Sequence, residues 1–386
     1  MEKFYLMNSA TKVLSFFHER TEIGDIYSNV DIFAPEQLPV RLRAVCSGDA
    51  VENWINRRSI PVNRHHMKAV LGALNLEKPF DLMRYSHALS LNDTFWIKKE
   101  DEDISFSSIN LYDNKFDEAL GWIAFTGLPS DISRNLSTPE LTTFGMLPKY
   151  WQRIRRIGID DIILCKGGTS GYSNAGYEPY NEVAAFITAK YLGIEAIPYH
   201  LEKRNGKIVS ISELFTTKSC GLVTASEYLD FRAKIPGYRS LRMCLEAMAE
   251  DNIDLLPFYR MCLLDYIIEN FDRHLNNWGF SVDNVTQQII GISPIWDNGM
   301  SLDFGKPADM RTKFDFASFN VKYDFVKSCT FANEFKHSVN HLLTVIRSGR
   351  LFNEIYAAVE SEYPSEDYTK NVVKFIEERC LEFQIF

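Results

Sequence analysis

Two patterns of hydrophobic residues alternate along the chain. Apolar residues recur every three or four positions over residues 181–192 and 255–270, which is the period of an amphipathic α-helix. Shorter apolar runs over residues 161–165, 197–202 and 208–215 are typical of β-strands. The last two runs flank a Lys-Arg-Asn-Gly-Lys turn and therefore predict a hairpin. The whole pattern predicts a mixed α+β fold whose later part is mainly helical.

The first 128 residues carry the weakest pattern. Residues 4–17 predict a strand followed by a helix, and residues 67–74 place apolar side chains at helical spacing. A basic stretch at residues 57–66 raises the question of a nucleic-acid surface. Two short helices with solvated arginines around a proline turn explain that stretch better, and its adjacent histidines do not predict a metal site.

Composition and charge narrow the class of protein. At 386 residues the chain exceeds a typical single domain, so two or three units are expected. The net charge of −9 argues against a broad, nonspecific nucleic-acid surface. The seven cysteines are scattered without a Cys-x-x-Cys pair, which argues against a disulfide framework and a zinc site. With neither a signal-peptide core nor a long apolar run, the sequence predicts a cytoplasmic protein with no membrane span.

The strongest chemical signal is a pair of aspartates joined by a predicted hairpin. Asp272 lies in a charged loop ahead of Asn277, and Asp297 follows an apolar run and precedes Asn-Gly. Residues 278–282 and 287–292 are β-prone and flank an Asp-Asn-Val-Thr turn. A hairpin brings its two ends, and so both carboxylates, to the same place. One aspartate can then hold a hydroxyl while the other, with Asn277, holds a metal, as phosphoryl transfer requires.

These motifs carry a family resemblance. Asp-Arg-His-x-x-Asn at 272–277 followed by Asp-Asn-Gly at 297–299 resembles the catalytic and metal-binding loops of HipA-like kinases. The first motif also resembles the corresponding loop of phosphatidylinositol kinases. The resemblance implies a two-lobed protein-kinase-like α+β fold. It implies a β-rich small lobe over 129–218, a mainly helical large lobe over 219–386 and an N-terminal region over 1–128 of unclear role.

Residues upstream of these loops predict a nucleotide site. Gly145 lies between β-prone residues, where backbone amides can face phosphate oxygens or where an ordinary hairpin turns. Lys166 leaves the apolar run at 161–165 and is placed to contact α- or β-phosphate. The resemblance assigns it to the family's nucleotide-contacting lysine. Glu182, in the first turn of the next helix, either pairs with Lys166 or interacts favourably with the helix dipole.

The resemblance also implies roles around bound ATP and Mg²⁺. Glu213 and Phe215 would line the adenine pocket on the segment that links the lobes, although Phe215 as a plain core residue is an equal alternative. Asp272 would orient the acceptor hydroxyl and take its proton. Asn277 and Asp297 would coordinate Mg²⁺, which prefers oxygen ligands.

Three neighbouring residues receive lesser roles. Arg273 either steadies the catalytic loop or binds an anion, and His274 is expected to support the loop by hydrogen bonding. Asp303 begins an Asp-Phe-Gly, but no catalytic loop precedes it at the right distance, so this tripeptide is predicted to be a turn.

The family resemblance implies ATP-dependent phosphoryl transfer to a Ser or Thr hydroxyl of a protein. It further implies an antitoxin-type protein partner and autophosphorylation at a hydroxyl near the phosphate-binding turn, for which the candidates are Ser137, Thr138, Thr142 and Thr143. Direct nucleic-acid binding is not expected. Three alternatives stay open: a small-molecule or lipid kinase, a nucleotide-binding pseudokinase, and a DNA-binding regulator that uses residues 57–66.

Overall fold

A computed structural model describes most of the chain. The described residues are 1–22, 24–59, 66–76, 79–131, 138–143, 145, 147–169, 175–232, 241–303, 326–359 and 366–384. They contain a four-stranded sheet near the N-terminus, a second four-stranded sheet, and a three-stranded sheet followed by helices. The predicted mixture of strands first and helices later is confirmed.

The N-terminal region combines a sheet with short helices. Its strands are β1 (Glu2–Asn8), β2 (Thr11–Arg20), β3 (Asp25–Ile32) and β4 (Phe95–Lys99), and its helices are α1 (Val40–Ala44), α2 (Gly48–Arg58), α3 (Met67–Leu74), α4 (Pro79–Ser86), α5 (Phe106–Ile109) and α6 (Glu118–Thr126). The sheet order is β3-β2-β1-β4. The helix predicted for the second half of residues 4–17 is wrong, because this segment pairs with β1 as strand β2.

Both faces of the N-terminal sheet are covered. Phe4 and Leu6 of β1 pack in a core with residues of α2 and α4. Tyr5 and Met7, on the opposite face, pack in a cluster that includes Ile162 of the next sheet. This second cluster joins the N-terminal region to the region that carries the candidate site.

The second sheet and one long helix follow. The elements are β5 (Lys149–Arg156), β6 (Ile159–Gly167), α7 (Glu178–Leu192), β7 (His200–Arg204) and β8 (Lys207–Glu213), with sheet order β5-β6-β8-β7. Phe125 of α6 packs against Ile163 and Val209 of this sheet. Helix α6 therefore joins the sheet although it precedes the predicted boundary at residue 128. The predicted β7–β8 hairpin is confirmed.

The remaining elements form a small sheet and a helical body. They are β9 (Cys220–Thr224), α8 (Ala225–Arg232), α9 (Leu241–Glu250), α10 (Leu256–Ile268), β10 (Gly279–Asp283), β11 (Ile289–Ile292), α11 (Ala332–Arg347), α12 (Arg350–Val359) and α13 (Glu366–Gln384). The predicted hairpin between the two aspartates is confirmed as antiparallel β10 and β11. The C-terminal helices share one core with α7 and α10, so the buried α7 connects the second sheet to the helical body. Of the helices in the described ranges, none combines the length and the apolar character that spanning a bilayer requires.

Candidate active site

A buried lysine lies between two carboxylates where β6, α7 and the loop after β11 meet. The Nζ atom of Lys166 lies 2.8 Å from Oε1 of Glu182 and also contacts Oδ1 of Asp297. The predicted Lys166–Glu182 pair is therefore confirmed. Burial by itself would lower the pKa of Lys166, but the charges of Asp297 and Glu182 outweigh it and hold that pKa well above its ordinary value. The lysine is charged at neutral pH.

A second lysine, which sequence reasoning missed, stands beside the first. Lys149 is the cross-strand partner of Lys166 in the β5–β6 ladder, and it is buried. Burial alone would raise the pKa of Asp297, but Lys166, Lys149 and Arg273 together hold it well below its ordinary value. The sequence did contain a signal for this pairing. Lys149 and Lys166 are equally far along the chain from the tight turn after β5, so a hairpin there places them opposite each other.

Gly145 lies next to this second lysine. Its φ of +94° is in the region that glycine adopts readily. A Cβ atom at this position would run into the ammonium group of Lys149. The structure thus brings Gly145 to the cationic side of the site, and its neighbours at 144 and 146 lie outside the described residues.

The loop between α10 and β10 carries the predicted catalytic residues. Nδ2 of Asn277 donates a hydrogen bond to the carbonyl oxygen of Asp272 at 2.9 Å, and the His274 amide donates to the same oxygen at 2.8 Å. Burial raises the pKa of the Asp272 carboxyl; His274 opposes the shift and the charge of Asp297 adds to it. The side chain of Asn270 joins the two loops, because its oxygen accepts from the Asp272 amide and its nitrogen donates to the Asp297 carbonyl. The His274 ring also accepts a hydrogen bond from the amide of Asn276, which fits the predicted supporting role.

Arg273 braces this loop from inside the protein. Its side chain is fully buried and its Nε lies 3.2 Å from Oδ1 of Asp265 on α10. Its Nη1 donates to the carbonyl oxygens of Asn277, at 2.8 Å, and of Trp296, while Nη2 donates to the side-chain oxygen of Asn298. One guanidinium therefore joins α10 to the loops of both aspartates. These contacts support the loop-steadying role over anion binding.

The segment after β11 has a strained and well-supported backbone. Asp297 has φ of +59°, in the left-handed region, which aspartate enters more readily than most residues other than glycine but still at a cost. The Asn298 amide donates to Oε2 of Glu182 at 2.7 Å, and Nδ2 of Asn270 donates to the Asp297 carbonyl at 3.4 Å. A Cβ atom on Gly299 would lie 3.3 Å from the Glu182 carboxylate, so glycine here allows the loop to approach α7 closely.

The two residues predicted to line the adenine pocket differ in their exposure to solvent. Glu213 is exposed at the end of β8, whereas Phe215 is half-buried. The ring of Phe215 lies 5.5 Å from that of Trp296, with 32° between the planes. Trp296, which sequence reasoning missed, directly precedes Asp297. Asp303 is buried, and the rest of its Asp-Phe-Gly lies outside the described residues.

The donor chemistry fits magnesium. Asp297 offers a carboxylate that its lowered pKa keeps ionised. The side-chain nitrogen of Asn277 donates to the Asp272 carbonyl oxygen, so the side-chain oxygen is the atom of Asn277 that could ligate a metal. A site with one or two protein oxygens is typical of Mg²⁺ that is completed by phosphate and water. Within the described ranges, no cluster of three or more His, Cys, Asp or Glu side chains could hold a metal by itself.

Comparison with known proteins supports the fold. No protein-family model and no curated protein matches the sequence. HipA of Shewanella oneidensis MR-1, solved with HipB and operator DNA of a toxin–antitoxin system, is similar with a TM-score of 0.60 and 13% identity, over 99% of this chain and 98% of that one. The proinflammatory kinase CtkA of Helicobacter pylori is similar with a TM-score of 0.42 and 19% identity, over 60% of this chain and 89% of that one. The predicted two-lobed, kinase-like α+β fold is confirmed by the first similarity, which extends over the first 128 residues.

Proposed function

We propose that the chain is an ATP-dependent kinase of HipA-like type that phosphorylates a Ser or Thr hydroxyl on a protein. The observation that carries the proposal is the contact of Lys166 with Glu182 and Asp297, beside the loop of Asp272 and Asn277. Burying a cation between two carboxylates adds little net stability, because desolvation offsets their attraction. Such a set of buried charges from different elements is therefore a candidate functional site. Phosphoryl transfer uses such a set for positioning and charge neutralisation.

The nucleotide is held from two sides. Lys166 and Lys149 bind phosphate oxygens, and Gly145 allows the backbone to come close to the same charges. The half-buried rings of Phe215 and Trp296 offer apolar faces to adenine. Asn277 and Asp297 would hold Mg²⁺ through their side-chain oxygens, and the metal would supply charge neutralisation at the phosphates.

Asp272 acts on the acceptor. Its raised pKa makes it a stronger proton acceptor than an ordinary aspartate. It orients the hydroxyl and takes its proton as the new oxygen–phosphorus bond forms and the bond from the γ-phosphorus to ADP breaks. Asn277 fixes the loop by its bond to the Asp272 carbonyl.

The test is transfer of labelled γ-phosphate to bacterial protein extract and to the protein itself. We expect Asp272→Ala and Asp297→Ala to reduce transfer by about a thousandfold or more while remaining folded. Asp101→Ala, at an exposed position, is the matched control and keeps wild-type activity. Equal activity in either site variant contradicts the proposal. Parallel screening of small molecules and lipids separates the alternative kinases.

Self-modification is a narrower hypothesis. The hydroxyls of Thr142 and Thr143 donate hydrogen bonds to carbonyl oxygens at 2.6 Å, and Thr138 is buried. Ser137 lies outside the described residues. Autophosphorylation at the threonines therefore requires this segment to rearrange. Intact mass after incubation with ATP tests the hypothesis, since an active preparation without added phosphate mass excludes it.

An antitoxin-type protein partner and a cytoplasmic location belong to the same proposal. The partner is supported by the Shewanella HipA structure, which contains HipB. The DNA-binding alternative is weakened because Arg58, in the basic stretch, donates to Asp93 and to backbone carbonyls instead of facing solvent. Residues 60–65 of that stretch lie outside the described residues. Absence of DNA retention at low salt would remove this alternative.

A further inference from the structure

The aspartate proposed to hold Mg²⁺ sits in an unfavourable backbone conformation. Left-handed backbone costs an ordinary L-residue about 1–2 kcal/mol, and aspartate adopts it more readily than most but still at a cost; Asp297 has φ of +59°. Such a conformation persists only when surrounding contacts determine it. The contacts to the backbone on either side of Asp297, together with the contact between its carboxylate and Lys166, therefore decide where that carboxylate points.

A segment after α7 supplies one of these contacts. Ala196 forms a parallel β-bridge with Ile295. The Ile197 amide donates to the Ile295 carbonyl at 2.9 Å, and the Ile295 amide donates to the Glu195 carbonyl at 3.1 Å. The two segments thus run side by side toward Asp297, one from each of the predicted lobes.

Beyond this backbone pairing, the next contact is made by a side chain. The hydroxyl of Tyr199 accepts a hydrogen bond from the Asp297 amide at 3.3 Å. The neighbouring groups have other partners: the Asn298 amide donates to Glu182, and the Trp296 carbonyl accepts from Arg273. Burial, with the nearby carboxylate of Glu182, raises the pKa of Tyr199 above its ordinary value, so the hydroxyl stays neutral.

We propose that Tyr199 is a positioning residue that holds Asp297 in its left-handed, metal-binding geometry and couples this geometry to the small lobe. The inference rests on the proposed function for its consequence, since only a Mg²⁺·ATP site makes the direction of the Asp297 carboxylate matter. The contact itself stands on the pairing of residues 195–197 with Ile295 and on the Tyr199 hydrogen bond.

The first arm of the test examines the backbone. Tyr199→Phe keeps the ring and removes the acceptor of the Asp297 amide. We expect hydrogen exchange of that amide, followed by NMR in the full-length protein, to become roughly tenfold faster. Tyr191→Phe is the matched control, because it also removes a hydrogen-bonded tyrosine hydroxyl, in this case one that donates to the Glu354 carboxylate away from the site. Unchanged exchange in Tyr199→Phe overturns the proposal.

The second arm measures ATP affinity by calorimetry with and without Mg²⁺. In the wild type, Mg²⁺ should increase the affinity for ATP. In Tyr199→Phe this increase should be about tenfold smaller, while the affinity for ATP in the presence of chelator stays unchanged. Tyr191→Phe should keep the whole gain. A lower unfolding midpoint with an unchanged Mg²⁺ gain would show a purely structural role and overturn the proposal. A wild-type protein that binds no ATP would refute the proposed function and, with it, the metal-binding role, while hydrogen exchange still decides whether the contact exists.

Discussion

Arg58 and Lys166 are both buried cations, but they sit in different electrostatic surroundings. The guanidinium of Arg58 donates to the Ala88 carbonyl at 2.7 Å and to the Asp93 carboxylate at 2.6 Å, and it stacks 4.5 Å above the Trp54 ring. Its charge meets one carboxylate and several fixed backbone dipoles within the N-terminal region. This is the environment of a cation that ties a turn to a helix.

Lys166 instead lies between carboxylates from two separate elements. Glu182 belongs to α7 and Asp297 to the loop after β11, and Lys149 adds a second positive charge nearby. Two positive and two negative side chains from different segments therefore lie close together. Each of them would be unfavourable if it were buried alone. The contrast teaches that a basic cluster in sequence is a poor guide to function, whereas convergence of opposite charges from distant segments is a good one.

The largest effect on activity is expected at Lys166. Lys166→Met removes the cation and should reduce kcat/KM for ATP by about 100- to 1,000-fold, because phosphate oxygens lose a preorganised positive charge. Lys166→Arg should fail to restore activity, since a planar guanidinium does not fit a site built around a point charge. Steady-state kinetics on folded protein provide the measurement. A near-wild-type kcat/KM in Lys166→Met would contradict a functional role for Lys166.

The largest effect on stability is expected at Arg58. Arg58→Ala removes the cation that pairs with Asp93 and the donor to two buried carbonyls, and it should lower the free energy of unfolding by about 3–5 kcal/mol. Arg57→Ala, next along the chain and half exposed, should change it by less than about 1 kcal/mol. Urea unfolding measures both. The activity per folded molecule should stay at the wild-type level, and a selective loss of activity in Arg58→Ala would contradict a structural role.

A smaller effect is expected at Phe215, which carries no charge. Phe215→Ala should raise KM for ATP roughly tenfold with little change in kcat, because stacking on a base contributes about 1–3 kcal/mol. The alternative, a core role, predicts reduced stability and an unchanged KM. Measuring both quantities in the same preparation decides between them.

The smallest expected effect is a displaced pH profile. Asp272 must be ionised to accept a proton, and its pKa is raised by burial, so kcat should fall on acidification at a pH above the ordinary aspartate value of about 3.9. Asp297 has a lowered pKa and stays ionised there. Its contribution to stability is present above about pH 4 and disappears only as the pH falls through its lower folded-state pKa. An acid limb at or below pH 3.9 would contradict the raised pKa.

Local pattern predicted the parts of the site that depend on neighbours in sequence. The β10–β11 hairpin followed from its turn residues, and the Lys166–Glu182 pair followed from a strand and a helix in succession. Lys149 was missed because its place depends on the β5–β6 register, and Tyr199 because its partner lies far along the chain. Strand β2 was mistaken for a helix, since a strand buried on both faces shows no alternation of apolar and polar residues.

The most direct test of the central claim is the effect of Mg²⁺ on ATP binding to wild-type protein and to Asp297→Asn. Asparagine keeps the size of the side chain and removes the charge that sits beside Lys166. Calorimetry should show that Mg²⁺ strengthens ATP binding to the wild type and has little effect on the variant. Equal strengthening in both proteins, or none in the wild type, would contradict a Mg²⁺·ATP site at Asp297.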